Sequence, residues 1–187
     1  FINATIHNTT ITNISSSSGA ATGLNALAVV DNGDTNITLT ATNLTVTDIE
    51  GALASYAISA AAAGASVGDE AVVAFDVINT IIDGMCGAGV FDTLGTPAGT
   101  STAGITSGGG NVSNDPSCAA FLNQASDQNN VGNLTSTLGT LSNNGGFVPT
   151  IPLLEGSPAI DAGVTVAGLT TDARLAARPQ GNAFDSG

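Results

Sequence analysis

Apolar and polar residues alternate with period two through the first half of the chain. Residues 8–14 (NTTITNI), 36–42 (NITLTAT), 44–49 (LTVTDI), 72–78 (VVAFDVI) and 80–82 (TII) are rich in β-branched side chains. Each run is bounded by Asn, Asp or Gly, so each predicts a strand. Second apolar segments, 26–30 (ALAVV) and 56–60 (YAISA), lie between these runs. Each of them is followed by a Gly/Asp turn, Asn32-Gly33-Asp34 and Gly68-Asp69. Helical spacing is nearly absent, and residues 119–126 are the one stretch that predicts a turn or two of helix.

The runs recur. Asn8-Thr9-Thr10-Ile11 matches Asn43-Leu44-Thr45-Val46 and Asn79-Thr80-Ile81-Ile82, at spacings of 35 and 36 residues. An apolar residue stands two positions before each Asn (Ile6, Ala41, Val77), and each run ends at a turn residue (Asn13, Asp48, Asp83). A fixed period of this size carrying only strand signals predicts an all-β solenoid, whose coils bury their inner faces by stacking. Chance recurrence in a Thr/Asn-rich chain is the bland alternative, and the like kind of residue flanking all three matches argues against it. Asn8, Asn43 and Asn79 then predict a ladder of stacked amides at an inward turn of each coil. Residues 1–83 form the coils with a period of about 35 residues. Residues 84–130 are a Gly/Ser/Asn-rich loop region bracketed by Cys86 and Cys118, and residues 131–187 close the same domain.

Composition narrows the class. Charged residues make up 9% of the chain, and the net charge is -13 with Arg174 and Arg178 the only Lys or Arg. That balance excludes nucleic acid and anionic membrane surfaces as partners, since both are bound through Lys and Arg. Aromatics at 4%, with no Trp, remove the usual stacking platforms for bases and sugars. A hydrophobic content of 42%, much of it Ala, suits thin, closely stacked layers. No apolar span of membrane length is present, because residues 52–73 are interrupted by Ser, Gly, Asp and Glu. The two cysteines predict an oxidised pair in an extracellular chain, with two buried free thiols as the alternative. A disulfide would close the loop where the period lapses and stabilise by roughly 3–4 kcal/mol. The chain also starts inside strand-like sequence at Phe1, which reads as a piece of something longer.

Residues 141–163 (LSNNGGFVPTIPLLEGSPAIDAG) are turns and short apolar pieces. Asn143-Asn144-Gly145-Gly146 predicts a turn, Pro149 and Pro152 forbid helix, Gly156-Ser157-Pro158 turns again, Asp161 caps, and Gly163 ends the unit. Together with Leu138-Gly139 upstream and Thr171-Asp172, Arg174, Arg178-Pro179-Gln180-Gly181 and Asp185-Ser186-Gly187 downstream, this stretch resembles the C-terminal signature of bacterial surface β-helix proteins of the choice-of-anchor Q type, which are similar to polymorphic outer membrane proteins. Ala173, Leu175 and Phe184 depart from the pattern. The resemblance implies a right-handed parallel β-helix with an irregular C-terminal closing segment, exported and displayed on or released from a cell surface. It implies no single activity.

Candidate chemistry is sparse. A polysaccharide lyase or hydrolase needs paired carboxylates, or a base with a cation. The available bases are Arg174, Arg178 and His7, and the arginines are more simply partners for Asp161, Asp172 or Asp185. Asp69 and Glu70 are sequence neighbours, which on a strand point to opposite faces. Calcium is the one cofactor with a candidate site, at Asp31 and Asp34 or at Asp48 and Glu50, but neither has the full spacing of a calcium loop and solvated turns explain both more simply. Thr38, Thr40, Thr42, Thr45 and Thr47 form rows that a lattice binder of ice or glycan would use, but the rows do not recur on every coil, and ordinary solvated Thr is the simpler reading. Seven N-glycosylation sequons include Asn3, Asn8, Asn43 and Asn111, and on an inward ladder Asn8 and Asn43 would be inaccessible. The expectation is a non-catalytic, extracellular or surface-displayed structural or adhesive module. Its partners would be further copies of itself or other surface proteins and glycans. A carbohydrate-active enzyme is the alternative.

Overall fold

In the computed structural model, residues 1–30, 33–64, 69–90 and 101–187 are described. Strands β1 (Ile2–Ile11), β2 (Ile14–Ser16) and β3 (Ala21–Val30) make a first pass, and β4 (Asp34–Val46), β5 (Ile49–Gly51) and β6 (Ser55–Gly64) a second. The third pass is β7 (Glu70–Ile78), β8 (Ile81–Ile82) and β9 (Met85–Val90), and the fourth is β10 (Thr102–Gly109) and β11 (Val112–Ser113). Every strand pairs in parallel with its counterpart on the neighbouring pass, giving one sheet of β1, β4, β7, β10, β8 and β11, one of β2 and β5, and one of β3, β6 and β9. No α-helix occurs among the described residues. The predicted helix at 119–126 is replaced by a 3-10 turn at Pro116–Ala120, which Asp115 caps by accepting from Ser117 N.

The register explains both the period and its lapse. Ile2 faces Ile37 and Asp34 faces Glu70, offsets of 35 and 36 residues. Later in that same second step Ile58 faces Cys86, an offset of 28, and on the next step Val72 faces Thr102, an offset of 30, so the passes shorten. The stretch 84–130, expected as loop, therefore carries three strands. They escape a pattern reading because β9 (MCGAGV) and β10 (TAGITSGG) put Gly, Ser and Thr where earlier passes alternate.

Period-two burial builds the core. In β7 the side chains of Ala71, Val73, Phe75 and Val77 point inward and their neighbours are half-exposed. Parallel register then stacks like on like: Ala4, Leu39, Phe75 and Ile105 form one column, and Leu24, Ile58 and Cys86 another. The Ala-rich β6 lets the sheets approach closely, with Ala57, Ala60 and Ala62 almost wholly buried. Cys86 and Cys118 are disulfide-bonded, tying β9 to the 3-10 turn. A second, smaller cluster of Ile81, Val112, Leu134 and Ala159 joins the passes to the C-terminal segment.

Candidate functional site: the cleft over the asparagine row

Asn8, Asn43 and Asn79 occupy one corner of successive passes. All three adopt left-handed backbone (φ 51°, 53° and 51°), a conformation that Asn tolerates better than other side chains bearing a Cβ. The ladder begins as expected, with Asn43 Nδ2 donating to Asn8 Oδ1 at 3.3 Å. It stops at the third pass. Asn79 Nδ2 donates to Val164 O at 2.8 Å, and Val164 N donates to Asn79 Oδ1 at 2.7 Å. One side-chain amide thus pairs with a passing backbone as a strand would. Because Asn79 is engaged elsewhere, Asn43 Oδ1 stays buried with no partner. Asn111, singled out only as a sequon, does the corner work of the fourth pass. Its Oδ1 accepts from Thr80 N, and its Nδ2 donates to Val77 O, Ser107 Oγ and Asp127 Oδ1.

A second corner row was marked in the sequence only as turn residues. Asn13 and Asp48 are left-handed (φ 59° and 55°). Thr12 Oγ1 donates to Asp48 Oδ2 at 2.9 Å, and Thr47 Oγ1 to Asp83 Oδ2 at 2.7 Å. Asp83 Oδ1 also accepts from Thr135 Oγ1 and Asn114 Nδ2. The signal was present as Thr directly before the turn residue at the same 35-residue spacing.

The C-terminal segment crosses the asparagine row from end to end. Asn8 Nδ2 donates to Thr171 O, Gly187 N donates to Asn79 O, and Ser186 Oγ donates to Gly110 O. The motif residues shape this path. Ser142 and Thr150 exchange two backbone hydrogen bonds around a turn in which Gly145 N donates to Asn143 Oδ1, while Asn144 Nδ2 reaches Thr150 O. Gly145 and Gly146 have φ of 99° and 80°, and a Cβ on Gly146 would lie 2.6 Å from Arg174 Cα. Gly156 turns with φ 79°, ahead of Pro158, and Ser157 Oγ accepts from Ala159 N. Asp161 Oδ1 accepts from Ala183 N while Asp161 N donates to Asp185 Oδ1, and Gly163 N donates to Phe184 O.

Between this segment and the passes lies a cleft of 360 Å³ whose lining includes Asn43, Thr45, Ile151, Asp172, Arg178 and Asp185. Both arginines line it. Arg174 pairs with Asp172 at 2.5 Å, and its Nε donates to Asp172 Oδ2 at 2.7 Å. Burial alone would raise the Asp172 pKa. The Arg174 side-chain hydrogen bond, the backbone N–H groups of Ala176 and Arg174, and the Arg174 charge outweigh it and hold the carboxyl below its ordinary value. Arg178 differs from expectation, since it meets carbonyls: Nη1 donates to Asp185 O and Nη2 to Gly187 O. Burial lowers its pKa, with the Asp172 and Asp185 charges opposing that shift. Its Nε is buried without a partner.

The other candidates are scattered. Asp31 lies outside the described residues. Asp34 opens β4 opposite Glu70, Asp48 accepts from Thr12, and Glu50 is exposed on β5 opposite Ser15. Among the described residues no three His, Cys, Asp or Glu side chains gather as a metal site would require. Asp69 Oδ1 accepts from Gly33 N, and His7 is exposed on β1. The threonine rows do not form a surface lattice. Thr42, Thr45 and Thr47 are buried, and Thr38 and Thr40 face Ala74 and Asp76 on the next strand. Asn43 is 1% exposed, so its sequon is closed to a glycan. Comparison with protein-family models, with curated proteins and with solved structures returns no match for this chain.

Proposed function

We propose that the chain is a non-catalytic structural module of the right-handed parallel β-helix type, working outside the cell or on its surface. In this reading it assembles by adding a further pass to its first one. The carrying observation is the edge left on the first pass, although β9 and β10 at the other end are also paired on one side only among the described residues. At the far end side chains take three backbone groups: Ser117 Oγ accepts from Cys86 N, Ser126 Oγ from Gly110 N, and Asp127 Oδ1 from Asn111 N. At the near end β1, β2 and β3 each pair on one side only among the described residues, and Phe1 and Ile2 are 86% and 54% exposed. An open edge of two ten-residue strands is a template for another strand. In this reading the occupant is a pass from a second copy. Support for the location comes from the Cys86–Cys118 disulfide, from the absence of any helix long and apolar enough to cross a membrane among the described residues, and from the resemblance of the closing motif to surface β-helix proteins of the choice-of-anchor Q type. Sedimentation velocity over a concentration series tests the assembly. Reversible growth that a Thr5→Pro substitution on the β1 edge abolishes is expected, and a strict monomer at the highest concentration contradicts it.

A further inference from the structure

Leu175 is strained and exposed at once. Among the described residues it is the one left-handed position, glycines aside, that neither Asn nor Asp occupies, at φ 66°. Its backbone N–H closes a turn onto Asp172 O, and the residue is 58% exposed. A γ-branched side chain that raises the energy of its own turn and buries little in the monomer points to a use outside the monomer. A second apolar turn stands against this one. Gly146 packs so closely on the 173–174 backbone that a Cβ there would lie 2.8 Å from Ala173 O. The next residue, Phe147, is 89% exposed, and Val148 after it is half-exposed.

Both turns flank the first pass. Thr171 O accepts from Asn8 Nδ2, and Ala173 and Arg174 border the same cleft as Thr9 and Thr10 of β1. Charge then bears on what can meet them. A molecule of net charge -13 repels its own copies over most of its surface. Residues 1–30 and 128–154, however, contain no Asp, Glu, Lys or Arg, and the Arg174 charge beside Leu175 is paired with Asp172. The first pass and the two turns therefore offer a second copy uncharged, partly apolar chain. Strand addition at an edge draws affinity from the main chain, and side chains beside the edge make it selective.

We propose that Phe147, Val148 and Leu175 form a docking tip that holds a second copy of the chain at the open edge of the first pass. The inference rests on the assembly proposed above and supplies the side chains that backbone pairing alone lacks.

The test is sedimentation velocity over a concentration series for wild type, Thr5→Pro, Phe147→Ser and Leu175→Gly, with chemical denaturation of each. Phe147→Ser should weaken association about tenfold or more, as expected for losing the burial of one ring. Leu175→Gly should also weaken it, while its unfolding midpoint stays at or above that of wild type, because Gly accepts φ 66° without strain. A wild-type chain that stays monomeric sinks the assembly and this inference together. Assembly that Thr5→Pro abolishes and both tip variants keep at wild-type strength overturns this inference alone. So does a lowered midpoint in Leu175→Gly, which would make that side chain internal packing. Binding of the wild-type monomer to neutral phosphatidylcholine vesicles, lost in Phe147→Ser, would assign the tip to a lipid surface and overturn the inference as well.

Discussion

The four passes and the closing segment are one chain folded by two different rules. In the passes, backbone pairs with backbone in parallel register, and buried side chains stack in columns such as Leu39, Phe75 and Ile105. In residues 131–187 no strand forms, and carboxylates, amides and a guanidinium satisfy the backbone at each bend. Repetition lets each pass supply its neighbour's backbone partners along the strands, and buried polar side chains such as Asn43, Thr47, Asn79, Thr80 and Asn111 stand at or beside the corners between strands. The closing segment has no neighbour like itself and must carry its partners within its own sequence. The two meet at the asparagine row and at the small cluster around Leu134.

If the passes are the cooperative unit and the closing segment depends on them, a core substitution should unfold both. Phe75 is the largest fully buried side chain and sits mid-column on β7. Phe75→Ala should cost about 3–5 kcal/mol, through lost burial and the cavity left behind. Chemical denaturation followed by hydrogen exchange reads this, with protection lost together in β4, β7 and residues 159–187. Retained protection in the closing segment would mean that it folds independently.

The same contrast governs what was legible in the sequence. Alternation and the 35-residue period located β1, β4, β7 and β8, because burial on one face of a stacked sheet imposes both signals directly. β9, β10 and β11 were missed because Gly87, Gly89, Gly104 and Gly108 carry no side chain to register a pattern; a Cβ on Gly87 would lie 2.7 Å from the Tyr56 ring. The ladder was legible as far as its left-handed Asn corners, since only the local backbone decides those. That Asn79 turns to Val164 was not, because the partner lies 85 residues away and its backbone bears no sequence mark. Likewise the closing motif announced turns, and nothing in it announced that its arginines would line a cleft.

A substitution confined to the closing segment should separate the regions. Asp172 Oδ1 accepts from the backbone N–H of Arg174 and of Ala176, and Oδ2 meets the Arg174 guanidinium. Asp172→Asn keeps the shape and removes the charge, and should cost about 1–3 kcal/mol of local stability. The Arg174 side chain is 41% exposed, so most of that loss comes from the hydrogen bonds and little from the ion pair. Because the folded pKa of Asp172 is depressed, its stabilisation is complete above the ordinary value of 3.8 and is lost as pH falls through the lower folded value. Wild-type exchange rates at residues 171–178 should therefore rise as pH drops below 3.8, relative to those in β7, and Asp172→Asn should flatten that dependence. An equal acid response in both variants would assign it to other carboxylates.

The smallest effect is the most specific. Asn79→Gly keeps a residue suited to φ 51° and deletes both hydrogen bonds to Val164. The loss should be about 1–2 kcal/mol, felt at Val164 and its neighbours and hardly at all in β7 or β8. Asn79→Asp keeps the acceptor for Val164 N but sets a carboxylate against Val164 O, so it should loosen the same residues. If the corner amide is instead chiefly a rung of the ladder, the disturbance would run toward Asn43 and β4 and leave Val164 protected. Exchange measured at Val164 and at Leu44 in the two variants distinguishes a chain whose passes hold one another from one whose passes are clasped by its own tail.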